Sequence, residues 1–246
     1  MAFWMYEPEV QAPPQAWSAL TLNVLFEGAD TAENIDALEK SDADFLCLQE
    51  VTPDFVSAFE SALAKRYPYR RFEARQGTWG VGIASKHPLR NARVFRQTPH
   101  RMPALEAAVT LGGQPLRLAC VHLFPPTAKR NANDSFWETY TANEQLRIRQ
   151  ADEIVGRFES VERLIVLGDL NDFDAALNTL LESGLSDACA SSPSTCGATY
   201  PGATSMLPAV VTIDYILGRG VEFVQAARHK SGGSDHFPVQ AWFRIR

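Results

Sequence analysis

The spacing of apolar residues along the chain predicts strands in some segments and helices in others. Residues 20–26 alternate between apolar and polar positions, which is typical of a half-buried strand. Residues 45–48 and 164–167 are continuous apolar runs, which are typical of strands buried on both faces. Further predicted strands cover 79–85, 93–96, 105–111, 116–123, 211–217, 221–226 and 238–245.

Four segments have apolar residues at helical spacing. Asp30 or Thr31 can cap a short first helix, and Pro53 opens a second one. The longest helix is predicted from residue 133 to about residue 161, and a fourth covers 173–181. Strands interrupted by helices in this way predict a layered α/β protein, with loops dominating residues 184–209.

The length and composition indicate a single globular domain. The chain has 246 residues, with 46% hydrophobic and 21% charged residues, which is an ordinary soluble mixture. No repeat or low-complexity linker divides it. We therefore expect one domain over 20–246, preceded by an extended proline-containing arm over 1–19.

Polar residues follow several of the predicted apolar runs. Because α/β proteins gather functional groups at the carboxyl ends of strands, these residues can converge on one pocket, although each alone is also an ordinary turn or cap residue. They are Glu50, His122, Asp169, Asn171, Asp214, Asp235 and His236.

This set of residues favours metal-dependent hydrolysis of a phosphate ester. Carboxylate and amide oxygens without cysteine suit a hard ion such as Mg²⁺ or Mn²⁺, and an Asp–His pair can activate water. Other chemistries lack their motifs, since the sequence contains no P-loop, no GxSxG and no HExxH.

The charge is distributed unevenly along the chain. The net charge is −6, yet residues 65–101 hold ten Lys and Arg and a single acid. This basic block is either a solvated face or a binding surface for a polyanion such as nucleic acid.

The cysteines bear on the compartment. Cys47 and Cys120 lie in apolar runs and are predicted to be buried thiols, whereas Cys189 and Cys196 lie in a loop-rich segment where they can form a disulfide. No apolar stretch is long enough to span a membrane. We expect a cytoplasmic protein as the sequence stands, or a secreted or periplasmic one if a leader has been removed and Cys189 pairs with Cys196.

At these residues the sequence resembles the endonuclease/exonuclease/phosphatase superfamily, whose fold is like that of deoxyribonuclease I. The matching segments occur in the family's order across nearly the whole chain. They are Leu22-Asn23-Val24, Leu48-Gln49-Glu50-Val51, 79–85, Val121-His122-Leu123, Gly168-Asp169-Leu170-Asn171, Ile213-Asp214-Tyr215-Ile216 and 234–239. The resemblance implies an α/β (α+β) four-layer sandwich, in which two packed mixed β-sheets are flanked by helices.

The resemblance also implies a role for each candidate residue. Glu50 resembles the principal metal ligand, with Asn23, Asp235 and Asp169 as further ligands. Asp169 and Asn171 match a pair that contacts phosphate, orients water or holds a second metal. Asp214 and His236 match the Asp–His base. His122 matches a histidine that binds phosphate or assists the leaving group, and Arg101 matches an arginine on the phosphate.

These expectations lead to a divalent-metal-dependent phosphodiester hydrolase, with a nuclease acting on DNA or RNA as the first hypothesis. An alternative is a phospholipid head-group or small-molecule phosphodiesterase or phosphatase of the same superfamily. A third hypothesis is a non-catalytic binding module on this scaffold. We expect a monomer without a membrane span.

Overall fold

A computed structural model describes residues 12–98, 102–128, 135–230 and 232–246. Two mixed β-sheets face each other, and helices cover their outer sides. The first sheet has the order β10-β12-β13-β1-β2-β4-β3, and the second has the order β5-β6-β7-β8-β11-β9. The strands are β1 Trp17–Asn23, β2 Phe45–Gln49, β3 Tyr69–Glu73, β4 Val81–Ser85, β5 Arg90–Gln97, β6 Met102–Leu111, β7 Gln114–His122, β8 Leu164–Asp169, β9 Ser186–Asp187, β10 Ser194–Thr195, β11 Asp214–Arg219, β12 Val221–Arg228 and β13 Val239–Ile245.

The helices begin at residues suited to capping. They are α1 Thr31–Ser41, α2 Pro53–Leu63, α3 Phe136–Arg157, α4 Ala175–Glu182 and α5 Ala188–Ser191. Asp30 caps α1, and Thr52 caps α2 with Pro53 in its first turn. Ser135 and Glu138 form a reciprocal capping box at the start of α3.

Three hydrophobic clusters account for the four layers. The largest lies between the sheets and contains Ile83, Leu118 and Phe243. A second cluster packs α3 and α4 against the outer face of the second sheet, and a third packs α1 and α2 against the first sheet. The predicted α/β sandwich of two packed sheets flanked by helices is therefore confirmed.

The structure moves several predicted boundaries. β1 begins at Trp17 rather than at residue 20, because Trp17 and Ser18 already pair with β13. β3 was not predicted, since it is an edge strand whose charged residues interrupt the alternation. Short elements β9, α5 and β10 lie in the segment predicted to be loop.

All four cysteines form disulfides. Cys47 and Cys120 are buried as predicted, but the prediction of thiols is wrong, because they form a bond that joins β2 of the first sheet to β7 of the second, with their Cα atoms 5.3 Å apart. Cys189 and Cys196 form the short bridge that the sequence left open. Within the described ranges, no helix has both the length and the apolar character that a bilayer crossing requires.

Candidate active site

Strand register brings the predicted residues to one edge of the sandwich. In the first sheet, Asn23 at the end of β1 lies opposite Gln49, and Glu50 follows directly. In the second sheet, Asp169 at the end of parallel β8 lies beside both His122 of β7 and Asp214 of β11. Because β11 runs antiparallel to β8, its first residue meets the last residue of β8.

Asn23 connects the carboxylates of the two sheets. Its Nδ2 donates to Glu50 Oε1 at 3.2 Å and to Asp169 Oδ2 at 3.1 Å. The other oxygen of Glu50 accepts from the backbone N–H of Phe26 at 3.1 Å. Glu50 has a φ of 60°, a left-handed conformation that costs a non-glycine residue free energy and is concentrated at functional sites.

His236 and Asp214 form the predicted pair. His236 Nδ1 lies 2.9 Å from Asp214 Oδ2, and both side chains are buried. With the Nδ1 proton directed at Asp214, Nε2 is the atom that faces Asp169 Oδ2, 3.8 Å away. Burial alone would lower the pKa of His236, but the carboxylates of Asp214, Asp169 and Asp235 outweigh it and raise the pKa to about 10.

The structure supplies partners for His122. Its Nε2 lies 3.2 Å from Asn171 Nδ2 and 3.5 Å from Asp169 Oδ2, while its buried Nδ1 has no partner among the described residues. Asn171 also has a left-handed backbone, with a φ of 50°, and its N–H donates to Asp169 Oδ1 at 2.7 Å. Glycine is needed at 168, where a Cβ would lie 1.9 Å from the carbonyl oxygen of Val121.

The residues present fit a divalent metal with oxygen ligands. Burial disfavours the charged form and raises the pKa of Asp169 and of Asp235, and no described lysine or arginine neutralises either carboxylate. Asp235 Oδ1 is buried without a hydrogen-bond partner among the described residues. A cation would satisfy this oxygen and stabilise the charged carboxylates, whereas zinc would favour more histidine or cysteine.

The most compact cluster differs from the predicted ligand set. Asp169, Asp214 and His236 offer ligand atoms within 4.8 Å of one another. His236 Nδ1 and Asp214 Oδ2 already bind each other, so the atoms of this cluster that remain for a metal are the Asp169 carboxylate, His236 Nε2 and Asp214 Oδ1, which is buried without a described partner. The predicted ligands Glu50, Asn23, Asp235 and Asp169 remain predictions, with the amide nitrogen of Asn23 rather than its oxygen facing the carboxylates. Arg101 lies outside the described residues.

Sequence reasoning missed a buried polar face of α3 that supports the site. Asn143 Nδ2 donates to the carbonyls of Pro125, Pro126 and Ala128, and the side chain of Gln150 accepts from Phe124 N–H. The Nε of Arg147, which is fully buried, lies 3.1 Å from Asp172 Oδ2. This face thereby holds the loops that follow His122 and Asp169. Polar side chains in a helix are typical of an exposed face. The spacing of Asn143, Arg147 and Gln150 by four and then three residues was the signal that they share one face of α3.

The carboxylates and His236 open into a cavity of about 290 Å³. It unites predicted residues of both sheets with apolar residues that the sequence did not single out. The lining residues include Asn23, Glu50, Asp169, Asn171, Asp235, His236, Pro125, Pro126, Tyr140, Phe173, Tyr200, Val211 and Ile213.

The model of the endonuclease/exonuclease/phosphatase family matches residues 20–236. The chain belongs to this family. Members of the family are generally phosphoesterases that depend on a divalent metal. Membership therefore gives the general class of reaction, phosphoester hydrolysis. The search of curated proteins found no match.

Solved structures of the family share the fold. The chain is similar to TDP2 of D. rerio complexed with a single-strand DNA product, with 20% identity, a TM-score of 0.74, and coverage of 94% of this chain and 100% of that one. It is also similar to a mannosyl-6-phosphatase of Bacteroides thetaiotaomicron, with 12% identity, a TM-score of 0.72, and coverage of 93% and 100%. A family protein of Leptotrichia buccalis has 17% identity, a TM-score of 0.72, and coverage of 94% and 100%.

Proposed function

We propose that this family member is a divalent-metal-dependent phosphodiester hydrolase in which His236 activates water. One observation carries the proposal: the His236–Asp214 pair, 2.9 Å apart, opens into the same cavity as the carboxylates of Glu50, Asp169 and Asp235. A base and a set of metal ligands at one site are what in-line attack of water on phosphorus requires.

The residues of the chain divide the work of the reaction. Neutral His236 takes a proton from water at Nε2, while Asp214 holds the opposite nitrogen and stabilises the imidazolium that forms. The water oxygen then bonds to phosphorus, and the bond from phosphorus to the leaving oxygen breaks. His122 faces the site through Nε2, which lies 3.2 Å from Asn171 Nδ2 and 3.5 Å from Asp169 Oδ2, so it positions these two residues, and its contact with a phosphoryl oxygen or the leaving oxygen stays a prediction.

The metal would be held by Glu50, Asp169 and Asp235, with Asn23 orienting the first two. When bound, Mg²⁺ or Mn²⁺ supplies positive charge that stabilises the phosphoryl oxygens and offsets the carboxylates that keep His236 protonated.

The test is a substrate panel with Mg²⁺ or Mn²⁺. Plasmid DNA, RNA, sphingomyelin, inositol phosphates and bis(4-nitrophenyl) phosphate are compared for the wild type and His236→Ala. We expect metal-dependent hydrolysis of the aryl phosphodiester that His236→Ala loses. Metal binding by calorimetry without hydrolysis of any substrate would instead support the non-catalytic binding module.

Nucleic acid is a candidate substrate with one observation in its favour, the similarity to TDP2 bound to a DNA product. The basic block over residues 65–101 supports nucleic-acid binding less than its net charge suggests, because six of its cations already form ion pairs within the protein. They are Arg66, Arg70, Arg75, Lys86, Arg93 and Arg96.

Salt dependence tests whether a polyanion binds. A nuclease that grips several phosphates should lose oligonucleotide affinity steeply between about 50 and 200 mM salt, by roughly 10³-fold or more. A shallow response would count against a long nucleic acid. Ser replacement of Arg71, which has no ion pair among those described, should raise KM for the polynucleotide only if the block contacts it.

Two further properties belong to the proposal. The two disulfides support an oxidising compartment, secreted or periplasmic, in which they would persist. A monomer is supported by the fact that one chain supplies every side chain of the site described above. Native mass spectrometry without reductant tests whether the protein is a monomer and whether both disulfides are present.

A further inference from the structure

One side of the candidate active site is apolar. Phe173, Tyr200, Val211 and Ile213, here called the apolar wall, line the cavity together with the carboxylates. Residue Phe173 is 56% exposed and residue Tyr200 is 38% exposed, and both line the cavity. Large exposed apolar side chains grouped at a cavity mark a binding surface more often than chance exposure does.

The wall is held in place by the backbone. Tyr200 and Val211 exchange backbone hydrogen bonds of 2.9 and 3.1 Å in an isolated bridge. Gly202 N–H donates to the carbonyl of Asp235 at 2.5 Å, and a Cβ at 202 would lie 2.6 Å from the backbone of His236. Tyr200 and Val211 are therefore built against the segment that carries the proposed base.

The wall also touches the reacting centre directly. The ring centroids of Tyr200 and His236 are 5.1 Å apart. If His236 activates the attacking water, the phosphorus atom lies close enough to Tyr200 for a group bonded to that phosphorus to reach the wall. The group that remains on the phosphate, rather than the leaving group alone, can then contact these rings.

Apolar surface continues outward from the wall. Val210 precedes Val211 and is 76% exposed, and Leu207 is 69% exposed, with Met206 beside it fully exposed. This loop is tied to the site, because Thr204 N–H donates to the carbonyl of Ser234 at 3.2 Å.

We infer that the phosphodiester substrate carries a bulky apolar substituent that lies against the apolar wall. This inference rests on the proposed function and specifies its substrate class: a phosphodiester whose retained group is alkyl or aryl rather than a sugar or an inositol. An apolar group gains free energy from leaving water for this wall, whereas a polyhydroxylated group would lose hydrogen bonds there.

The test compares 4-nitrophenyl phosphodiesters that differ only in the retained group. The methyl and hexyl esters share a leaving group and have similar intrinsic reactivity, so their kcat/KM ratio reports contacts to the retained group. We expect the hexyl ester to react about 10- to 100-fold faster in kcat/KM, because several CH₂ groups are buried. A phenyl ester distinguishes a ring-stacking wall from one that prefers a chain.

Variants locate the effect. Phe173→Ala should lower the hexyl-to-methyl ratio several-fold, and the ratio cancels any loss that both esters share. The control is Tyr69→Ala on edge strand β3, an exposed aromatic outside the cavity lining, which should leave the ratio unchanged.

The outcomes are distinguishable. Equal kcat/KM for methyl and hexyl esters, or a faster thymidine ester than hexyl ester, would overturn the apolar substituent while leaving phosphodiester hydrolysis intact. No hydrolysis of any ester with Mg²⁺ or Mn²⁺ would overturn the proposed function itself.

Discussion

Glu106 and Asp169 are both buried carboxylates of the second sheet, but they are neutralised in different ways. On the outer face, Arg157 donates to both oxygens of Glu106 at 3.1 and 2.9 Å, and Arg93 donates to one of them. Burial would raise the pKa of Glu106, yet the two guanidinium groups hold it below its usual value. At the cavity, Asp169 has amides and histidines as partners, and burial raises its pKa.

The difference separates a structural acid from a functional one. Glu106 has permanent cations from its own chain, so it needs nothing further to stay charged. Asp169 and Asp235 have no such partner among the described residues and sit beside a strained backbone at Glu50 and Asn171. Acids left without arginine at a cavity are the ones to which a metal can bind.

Of the changes that test this contrast between Glu106 and Asp169, removing the metal should have the largest effect on hydrolysis. EDTA should abolish hydrolysis and added Mg²⁺ or Mn²⁺ should restore it, since none of the described arginines and lysines takes the place of a metal at Asp169. Glu50→Gln should weaken Mg²⁺ binding in calorimetry without lowering the melting temperature, because it removes one charge from a repulsive group. Full activity in excess chelator would contradict the assignment.

Removing the base should have the next largest effect. His236→Ala should lower kcat by about 10²–10⁴-fold with a smaller change in KM, which is the usual cost of losing a general base. Asp214→Asn should lower it part of the way, because the imidazole loses the carboxylate that orients it. Steady-state kinetics on a 4-nitrophenyl phosphodiester measure both. An unchanged kcat for His236→Ala would make this residue structural.

The matched change at the structural acid should affect stability alone. Glu106→Gln leaves Arg157 and Arg93 without a charged partner and should cost about 1–3 kcal/mol of unfolding free energy. Urea denaturation measures the loss, and kcat should remain at the wild-type value. If Glu106→Gln lost activity without losing stability, Glu106 would have a functional role like that of Asp169, and the contrast between them would be wrong.

The smallest expected effect is a shift in titration. In metal-free protein His236 should stay protonated until a pH of about 10, because the nearby carboxylates favour the imidazolium. Asp214→Asn removes one of these charges and should move the pKa down toward the ordinary histidine value. NMR of the imidazole ring over pH follows both proteins. A wild-type pKa near 6.5 would mean that burial outweighs the carboxylates.

Much of the site could be predicted because its residues follow strands that the apolar pattern marks. Glu50 and Asp169 each follow or end a predicted run, whereas Asp214 lies within the predicted strand 211–217 and proves to be the first residue of β11, where antiparallel register places it beside Asp169. The pattern could not show that Cys47 faces Cys120, since this depends on how the two sheets pack. The pattern also could not show that Arg147 is buried. An arginine in a helix is typical of an exposed face, and its buried partner Asp172 is known only from the structure.

The bond between Cys47 and Cys120 has its main consequence in the denatured chain. It joins residues 73 positions apart, so the unfolded ensemble is closed into a loop that contains β3, β4, β5 and β6. In the chain-entropy account, a loop of this length removes about 4 kcal/mol of unfolded-state freedom. Protein prepared with reductant should therefore unfold at a lower urea concentration than oxidised protein. The cross-link would matter most under oxidising conditions, in which the bond persists.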